Sequence, residues 1–180
     1  MSNHIDFYFD IISPYAYIAH KKILKHKNII FNYKPVYLGG LHKLAGIDSP
    51  AFNKYKLKNN IEFKWNSNFP INSLNIMRGY ISVSKDKQND YLNCLFDAYW
   101  KNNHDLSNVE NMSKLIRDLN IDSEEFFQTI KKQSVKDQLI KLTTNAFQKE
   151  VFGTPTFRVN NKIFWGQDRL EYALEEFGAN

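Results

Sequence analysis

Apolar and polar positions along this chain follow two different periods, and the switches between them mark its elements. Ile5 to Phe9 is a short, aromatic-rich run closed by Asp10, the pattern of a buried strand. Tyr15, Ala16, Ala19 and Ile23 then recur at nearly helical spacing. They predict a helix from Tyr15 to Lys27, with Asn28 as its C-terminal cap. Ser13-Pro14 gives this helix its start, serine as N-cap and proline as first helical residue. From Ile29 to Val36 an approximate alternation returns, with Ile29, Phe31 and Tyr33 set against Ile30, Asn32 and Lys34, and predicts a second strand. A β-α-β start of this kind favours a right-handed crossover and a parallel pair.

Gly39-Gly40 predicts a turn, and the stretch from Leu41 to Asn68 carries little period. Ser49-Pro50 and Phe69-Pro70 punctuate it, and one short helix is expected near 51–57. Beyond it come helical stripes: Leu74, Met77 and Ile81; Leu92, Leu95, Phe96 and Tyr99; Met112, Leu115, Ile116 and Leu119; Phe126, Phe127 and Ile130; then Val135, Leu139, Leu142 and Ala146. Ser107 and Glu110 fit a capping box, and Asp122 and Glu125 its aspartate variant. Strands at Thr156 to Val159 and Lys162 to Trp165 are joined by Asn160-Asn161, a two-residue hairpin link. Asp168 to Phe177 is the last helix, with Leu170, Ala173, Leu174 and Phe177 inward. The order is therefore β-α-β, a long helical block, then β-β-α.

Composition narrows what such a chain does. With 180 residues, 43% hydrophobic and 15% aromatic, it is long enough for a sizeable core and is not disordered. Its net charge of +5 is spread out, apart from Lys21, Lys22, Lys25 and Lys27. These four read as a solvated helix face whose last charges complement the helix dipole. No basic face interleaves with exposed aromatics, so a nucleic-acid partner is not expected. The surplus charge favours anionic carboxylates, at modest strength after screening. Cys94 is the single cysteine, which excludes an intramolecular disulfide, and it reads as a small buried hydrophobe. Asp6 and Asp10 interrupt the first apolar stretch and no basic segment precedes it, so a signal peptide is not expected. No apolar run approaches the roughly 20 residues of a membrane span. A soluble, cytoplasmic protein without membrane contact follows. His4, His20, His26, His42 and His104 lack ligand spacing with each other or with Cys94, and no metal is expected.

Four segments carry a resemblance: Phe7-Tyr8-Phe9-Asp10, Ser13-Pro14-Tyr15, Val151-Phe152-Gly153-Thr154-Pro155 and Trp165-Gly166-Gln167-Asp168-Arg169. Their ordered set resembles the 2-hydroxychromene-2-carboxylate isomerase family, which belongs with the kappa-class glutathione transferases and the DsbA-like branch of the thioredoxin fold. The resemblance covers nearly the whole chain. It implies an α/β protein, a thioredoxin-like fold with a large helical insertion of the DsbA/kappa type. Residues 1–39 and 148–180 would form the thioredoxin-like domain, and 40–147 the inserted helical domain.

Where thioredoxin-fold oxidoreductases carry Cys-x-x-Cys, this chain has Ser13-Pro14-Tyr15-Ala16. It lacks both the attacking and the resolving thiol, so disulfide exchange is excluded at this turn. A helix N-terminus still lowers the pKa of a thiol placed there, and that thiol can belong to a ligand. The resemblance implies glutathione, with Ser13 as the catalytic residue that donates a hydrogen bond to its thiolate. It implies a cis Thr154–Pro155 bond facing the helix mouth, with the Thr154 backbone pairing with the peptide backbone of the ligand. Trp165 and Gly166 would also bind glutathione, and the Gln167-Asp168-Arg169 segment would meet its γ-glutamyl end, Asp168 at the ammonium and the Gln167 and backbone donors at the carboxylate. Asp168 reads equally as a plain helix N-cap. His42 and Lys43 are candidates for an anionic substrate carboxylate. The family's Asn-x-Pro-Pro element corresponds here to Ile47-Asp48-Ser49-Pro50, with isoleucine at the asparagine position. That departure bears on the glycine end of glutathione.

The implied activity is glutathione-dependent isomerisation of an aromatic carboxylate, 2-hydroxychromene-2-carboxylate, by thiolate addition, rotation and elimination. The implied setting is aromatic hydrocarbon catabolism, and the implied assembly a homodimer. A kappa-like glutathione transferase or peroxidase is the alternative within the same frame. A non-catalytic thioredoxin-like binding or chaperone module is the alternative of another class, left open by the missing cysteines. The catalytic reading expects an opening between the Ser13 hydroxyl and the 154–155 bond.

Overall fold

Strand β1 (Ile5–Phe9) is buried at every position, Asp6 included, since it has a neighbouring strand on each side. The computed structural model describes residues 3–48 and 60–178; the helix expected near 51–57 lies outside these residues. The chain divides into two compact units, Met1–Ser49 with Ile140–Asn180, and Pro50–Leu139.

In the first unit β1 is followed by α1 (Pro14–Ile23) and β2 (Phe31–Pro35). β2 lies parallel to β1, with Ile5 opposite Phe31 and Phe9 opposite Pro35. β3 (Thr156–Val159) runs antiparallel along the other side of β1, and β4 (Lys162–Trp165) antiparallel to β3. The four-stranded sheet has the order β2-β1-β3-β4. Asn160 and Asn161 both take positive φ, 49° and 65°, which is why asparagines serve as the hairpin link. Phe7 centres an aromatic layer on this sheet, 5.3 Å from Tyr33 and 5.5 Å from Phe157 between ring centroids. α1 is shorter than its periodicity predicts, ending at Ile23 with Leu24 as cap. After β4 a short 3-10 turn (Gln167–Arg169) leads into α8 (Leu170–Gly178), the intervening helices being α2 to α7.

The expected turn at Gly39-Gly40 is instead the start of α2 (Leu38–Ala45). Local grammar hides this helix, because Tyr37 at its N-cap supplies no side-chain cap. The cap comes from a distance. Asp10, with no exposed surface, accepts from the Leu38 N–H through Oδ2 at 2.8 Å. Its Oδ1 accepts from the Ile12 N–H at 3.1 Å. The Tyr37 N–H donates to the Thr143 hydroxyl at 3.0 Å. The Tyr37 ring folds over the two glycines: a Cβ at Gly39 would lie 2.9 Å from its hydroxyl oxygen, so a larger residue there would have to displace the ring. Leu38 and Leu41 then join Tyr8, Val36, Ala146 and Val151 in one apolar cluster.

The second unit is helical. It holds α3 (Leu74–Ser82), a 3-10 turn (Lys85–Lys87), α4 (Gln88–Trp100), α5 (Val109–Asp118), α6 (Ser123–Thr129) and the first part of α7 (Gln133–Gln148). Asp122 caps α6 through the Glu125 N–H, as its spacing predicts. The cap of α5 is Asn108 rather than Ser107: its side chain accepts from the Glu110 and Asn111 N–H groups. Part of the aperiodic stretch before Pro70 is ordered by aromatic contacts. Phe63, Trp65 and Phe69 all lie within 6 Å of the buried Trp100 ring, and Asn66 Nδ2 donates to the Tyr99 and His104 carbonyls at 2.9 Å each. Cys94 is half-buried, and burial pushes its pKa up, which keeps it a protonated thiol. Among the described residues no helix is long and apolar enough to cross a membrane.

Candidate active site

The turn between β1 and α1 places Ser13 at the helix mouth, where local grammar puts it. Its side-chain oxygen accepts from the Ala16 N–H at 3.2 Å, a regular N-cap bond. Its hydroxyl donates to the Thr154 carbonyl at 2.9 Å, so one atom both caps α1 and ties the turn to the segment entering β3. The Thr154–Pro155 bond is cis. Ser13, Thr154 and Pro155, far apart in sequence, are thus adjacent in space. Among the described residues the expected opening does not separate the Ser13 hydroxyl from this bond: the two are in direct contact, and Ser13 is 1% exposed. A hydroxyl with a carbonyl within reach makes that bond rather than leave a buried acceptor unpaired.

Thr154 is itself buried, and its hydroxyl oxygen has no hydrogen-bond partner. Thr156, two residues on, contrasts with it, donating to the Gly153 carbonyl at 2.7 Å. Trp165, at the end of β4, is 55% exposed and lies over Gly153, where a Cβ would come 2.6 Å from its indole nitrogen. Phe152 meets the same ring at 5.1 Å between centroids.

Gly166 follows Trp165 with φ of 117°, a conformation glycine adopts without strain, and its N–H donates to the Pro155 carbonyl at 2.9 Å. That bond brings the Gln167–Asp168 turn beside the cis bond. Asp168 is not the N-cap of α8. It sits inside the 3-10 turn, where its Oδ1 would be 2.6 Å from a Cβ on Gly166 and its Oδ2 is 3.7 Å from Arg169 Nε. Gln167 is held by Lys22, whose ammonium donates to its side-chain oxygen at 2.6 Å and to its main-chain carbonyl at 3.2 Å. An ammonium only donates, so this contact fixes which end of the amide faces it and leaves the amino group as the other end. Lys22 is therefore not part of a solvated face. Nothing local marks it, since its partner lies 145 positions downstream.

His42 and Lys43 are neighbours on α2, so their side chains leave the helix about 100° apart. Lys43 is exposed and His42 buried, and burial lowers the His42 pKa. At neutral pH His42 is therefore an uncharged imidazole, and a charge-based contact with an anion falls to Lys43. The sign of the pH effect follows. The unfolded chain takes up this proton first as pH falls, so the contribution to stability is complete above about pH 6.5. It is lost as pH drops through the lower folded value. The melting temperature of the native chain should fall more steeply below about pH 6.5 than that of His42→Gln; parallel curves would show that His42 does not titrate in this window. Among the described residues no group of three or more His, Cys, Asp or Glu side chains is placed to hold a metal ion.

A β-α-β unit and a β-β-α unit in one sheet, with a helical unit inserted between them along the chain, define a thioredoxin fold of DsbA type. The chain belongs to the DSBA-like thioredoxin domain family, whose model matches residues 4–178. It is similar to the 2-hydroxychromene-2-carboxylate isomerase of Sphingobium xenophagum, with 23% identity over 98% of each chain. A solved structure of a 2-hydroxychromene-2-carboxylate isomerase superposes with a TM-score of 0.84, at 22% identity over 97% of this chain and 94% of the other. A shorter match, 45% identical over 26% of this chain and 23% of the relative, is to glutathione S-transferase kappa 1 of Caenorhabditis elegans.

Proposed function

We propose that this chain is a glutathione-dependent isomerase acting on an aromatic carboxylate of the 2-hydroxychromene-2-carboxylate type. The observation that carries the reading is Ser13 at the mouth of α1, its oxygen held by the Ala16 N–H beside the Thr154 segment, in a fold built for thiols that has no cysteine at that position. The isomerase relatives, similar over nearly the full chain, support it.

The residues present fit a tripeptide thiol. The Ser13 oxygen is fixed by the Ala16 N–H, so only the hydroxyl proton has to turn from the Thr154 carbonyl toward a ligand. The carbonyl it leaves then needs a new donor. A cysteinyl residue supplies both halves of this exchange, a thiolate for the hydroxyl and a peptide N–H for the carbonyl. The unpartnered Thr154 hydroxyl is a further polar group that the protein alone does not satisfy. Because Ser13 is buried, entry of the ligand requires its surroundings to open. Gln167, oriented by Lys22, and Asp168 are the groups for the γ-glutamyl carboxylate and ammonium. Trp165 and Gly166 frame that end, and Lys43 is the cation for the substrate carboxylate, with His42 neutral beside it.

Glutathione, when bound, supplies a thiolate that adds reversibly to a double bond conjugated to a ketone, makes it single long enough to rotate, and leaves unchanged. The protein's own part is to keep that sulfur anionic. The Ser13 hydroxyl donates to it, and the outward N–H groups of α1 favour negative charge. Lowering a thiol pKa by two units needs about 2.7 kcal/mol of differential stabilisation, within reach of one charge-assisted hydrogen bond and the helix dipole.

The kappa-type match supports a second reading, transfer rather than isomerisation. A cytoplasmic setting, where glutathione is held reduced, and a homodimer belong to the same proposal. Calorimetry with glutathione, followed by isomerisation assays at substoichiometric glutathione, tests it. Heat on binding and many turnovers per glutathione are expected. A conjugate accumulating in step with glutathione loss would favour the transferase. No heat and no thermal shift at millimolar glutathione would favour a non-catalytic binding or chaperone module.

A further inference from the structure

Resting on the glutathione reading above, we propose that the Thr154 hydroxyl is a second hydrogen-bond donor to the sulfur of the bound ligand, paired with Ser13. Thr154 is 7% exposed, its hydroxyl oxygen is fully shielded, and that oxygen has no partner. Buried hydroxyls are almost always paired, because leaving one unpaired forfeits its hydration without return. The neighbouring Thr156 obeys this rule through the Gly153 carbonyl, so the segment is able to satisfy a threonine internally. Thr154 does not, and its own carbonyl is the one that accepts from the Ser13 hydroxyl. The Thr154 hydroxyl and the carbonyl that accepts from Ser13 belong to one residue, which brings the two hydroxyls to one segment.

A thiolate is the acceptor this pair suits. It is an anion with several lone pairs, and it takes two donors where a neutral thiol, itself a weak donor, gains little from either. Two hydroxyls and a helix N-terminus supply only donors and positive potential to that point. The Thr154 carbonyl, the nearby acceptor, is the group the ligand's peptide N–H would cover. Thr154 then adds to the selectivity for the ionised sulfur, beyond the backbone pairing that its position before a cis-proline implies.

Thr154→Val, of nearly the same shape, separates this role from a structural one. In the ligand-free protein it removes an unpaired polar group, so the melting temperature should hold or rise. Glutathione affinity at neutral pH, measured by calorimetry, should weaken about ten- to a hundred-fold, the loss of one hydrogen bond to a charged group. Binding of S-methylglutathione, which cannot ionise at sulfur, should not change. Thr154→Ser should restore glutathione affinity. A lower melting temperature for ligand-free Thr154→Val would overturn the proposal, since the hydroxyl would then have a structural partner. So would unchanged glutathione affinity, or equal weakening toward both ligands. Failure of the native chain to bind glutathione would instead strike the reading of the site as a whole, and this proposal with it.

Discussion

Ser13→Ala should lose about two to three orders of magnitude in isomerisation rate at saturating glutathione, the usual cost of removing one preorganised donor from a developing or resident anion. It should also lose about 2–3 kcal/mol of stability. The stability figure exceeds that of a lone N-cap, about 1 kcal/mol, because the hydroxyl does two things. It accepts from the Ala16 N–H, and it donates to the Thr154 carbonyl. Alanine leaves both groups unpaired in a place with almost no exposed surface. Ser13→Thr keeps the oxygen and should keep most of both quantities. The measurements are steady-state isomerisation and urea denaturation midpoints on the three proteins. If Ser13→Ala turned over at the native rate, Ser13 would have no part in the chemistry, and its hydroxyl would be only the tie between α1 and the β3 entry.

The sequence made some of this legible. β1, the Asn160-Asn161 hairpin and the helical stripes are local patterns, set by burial on one face and by turn residues that tolerate positive φ. Asp122 could be read as a cap because its partner is three residues away. α2 could not, because its cap is a carboxylate 28 positions earlier, and two glycines in a first turn look like a break. Lys22 reads as one of four surface lysines until the turn 145 positions downstream lies beside it. The Ser13–Thr154 contact spans 141 positions; the resemblance points to its two ends, but no local pattern carries the direct bond between them. In each case the missing information is which distant backbone group needs a partner, and periodicity does not carry that.

Asp10→Ala should destabilise the first unit by about 3–5 kcal/mol. Asp10 has no exposed surface and accepts two backbone N–H groups, from Ile12 in the turn before Ser13 and from Leu38 at the start of α2. Hydrogen bonds to a charged group are worth about 1.5–3 kcal/mol each, and alanine leaves the buried Leu38 N–H and the part-buried Ile12 N–H without this acceptor. Helix propensity cannot compensate, since α2 begins Leu38-Gly39-Gly40 and has no side-chain cap of its own. Asp10→Asn keeps one amide oxygen and presents a donor where the second acceptor was, so an intermediate loss is expected. Hydrogen exchange locates the effect. The Leu38 and Ile12 amides should exchange faster in Asp10→Ala than the drop in global stability alone requires, and amides of β3 should not. Activity should fall as well, because the same carboxylate holds both the turn that presents Ser13 and the helix that carries Lys43. A change within about 0.5 kcal/mol, the range of ordinary surface substitutions, would mean that α2 and the Ser13 turn are held by packing alone, and that the buried carboxylate is not what joins them.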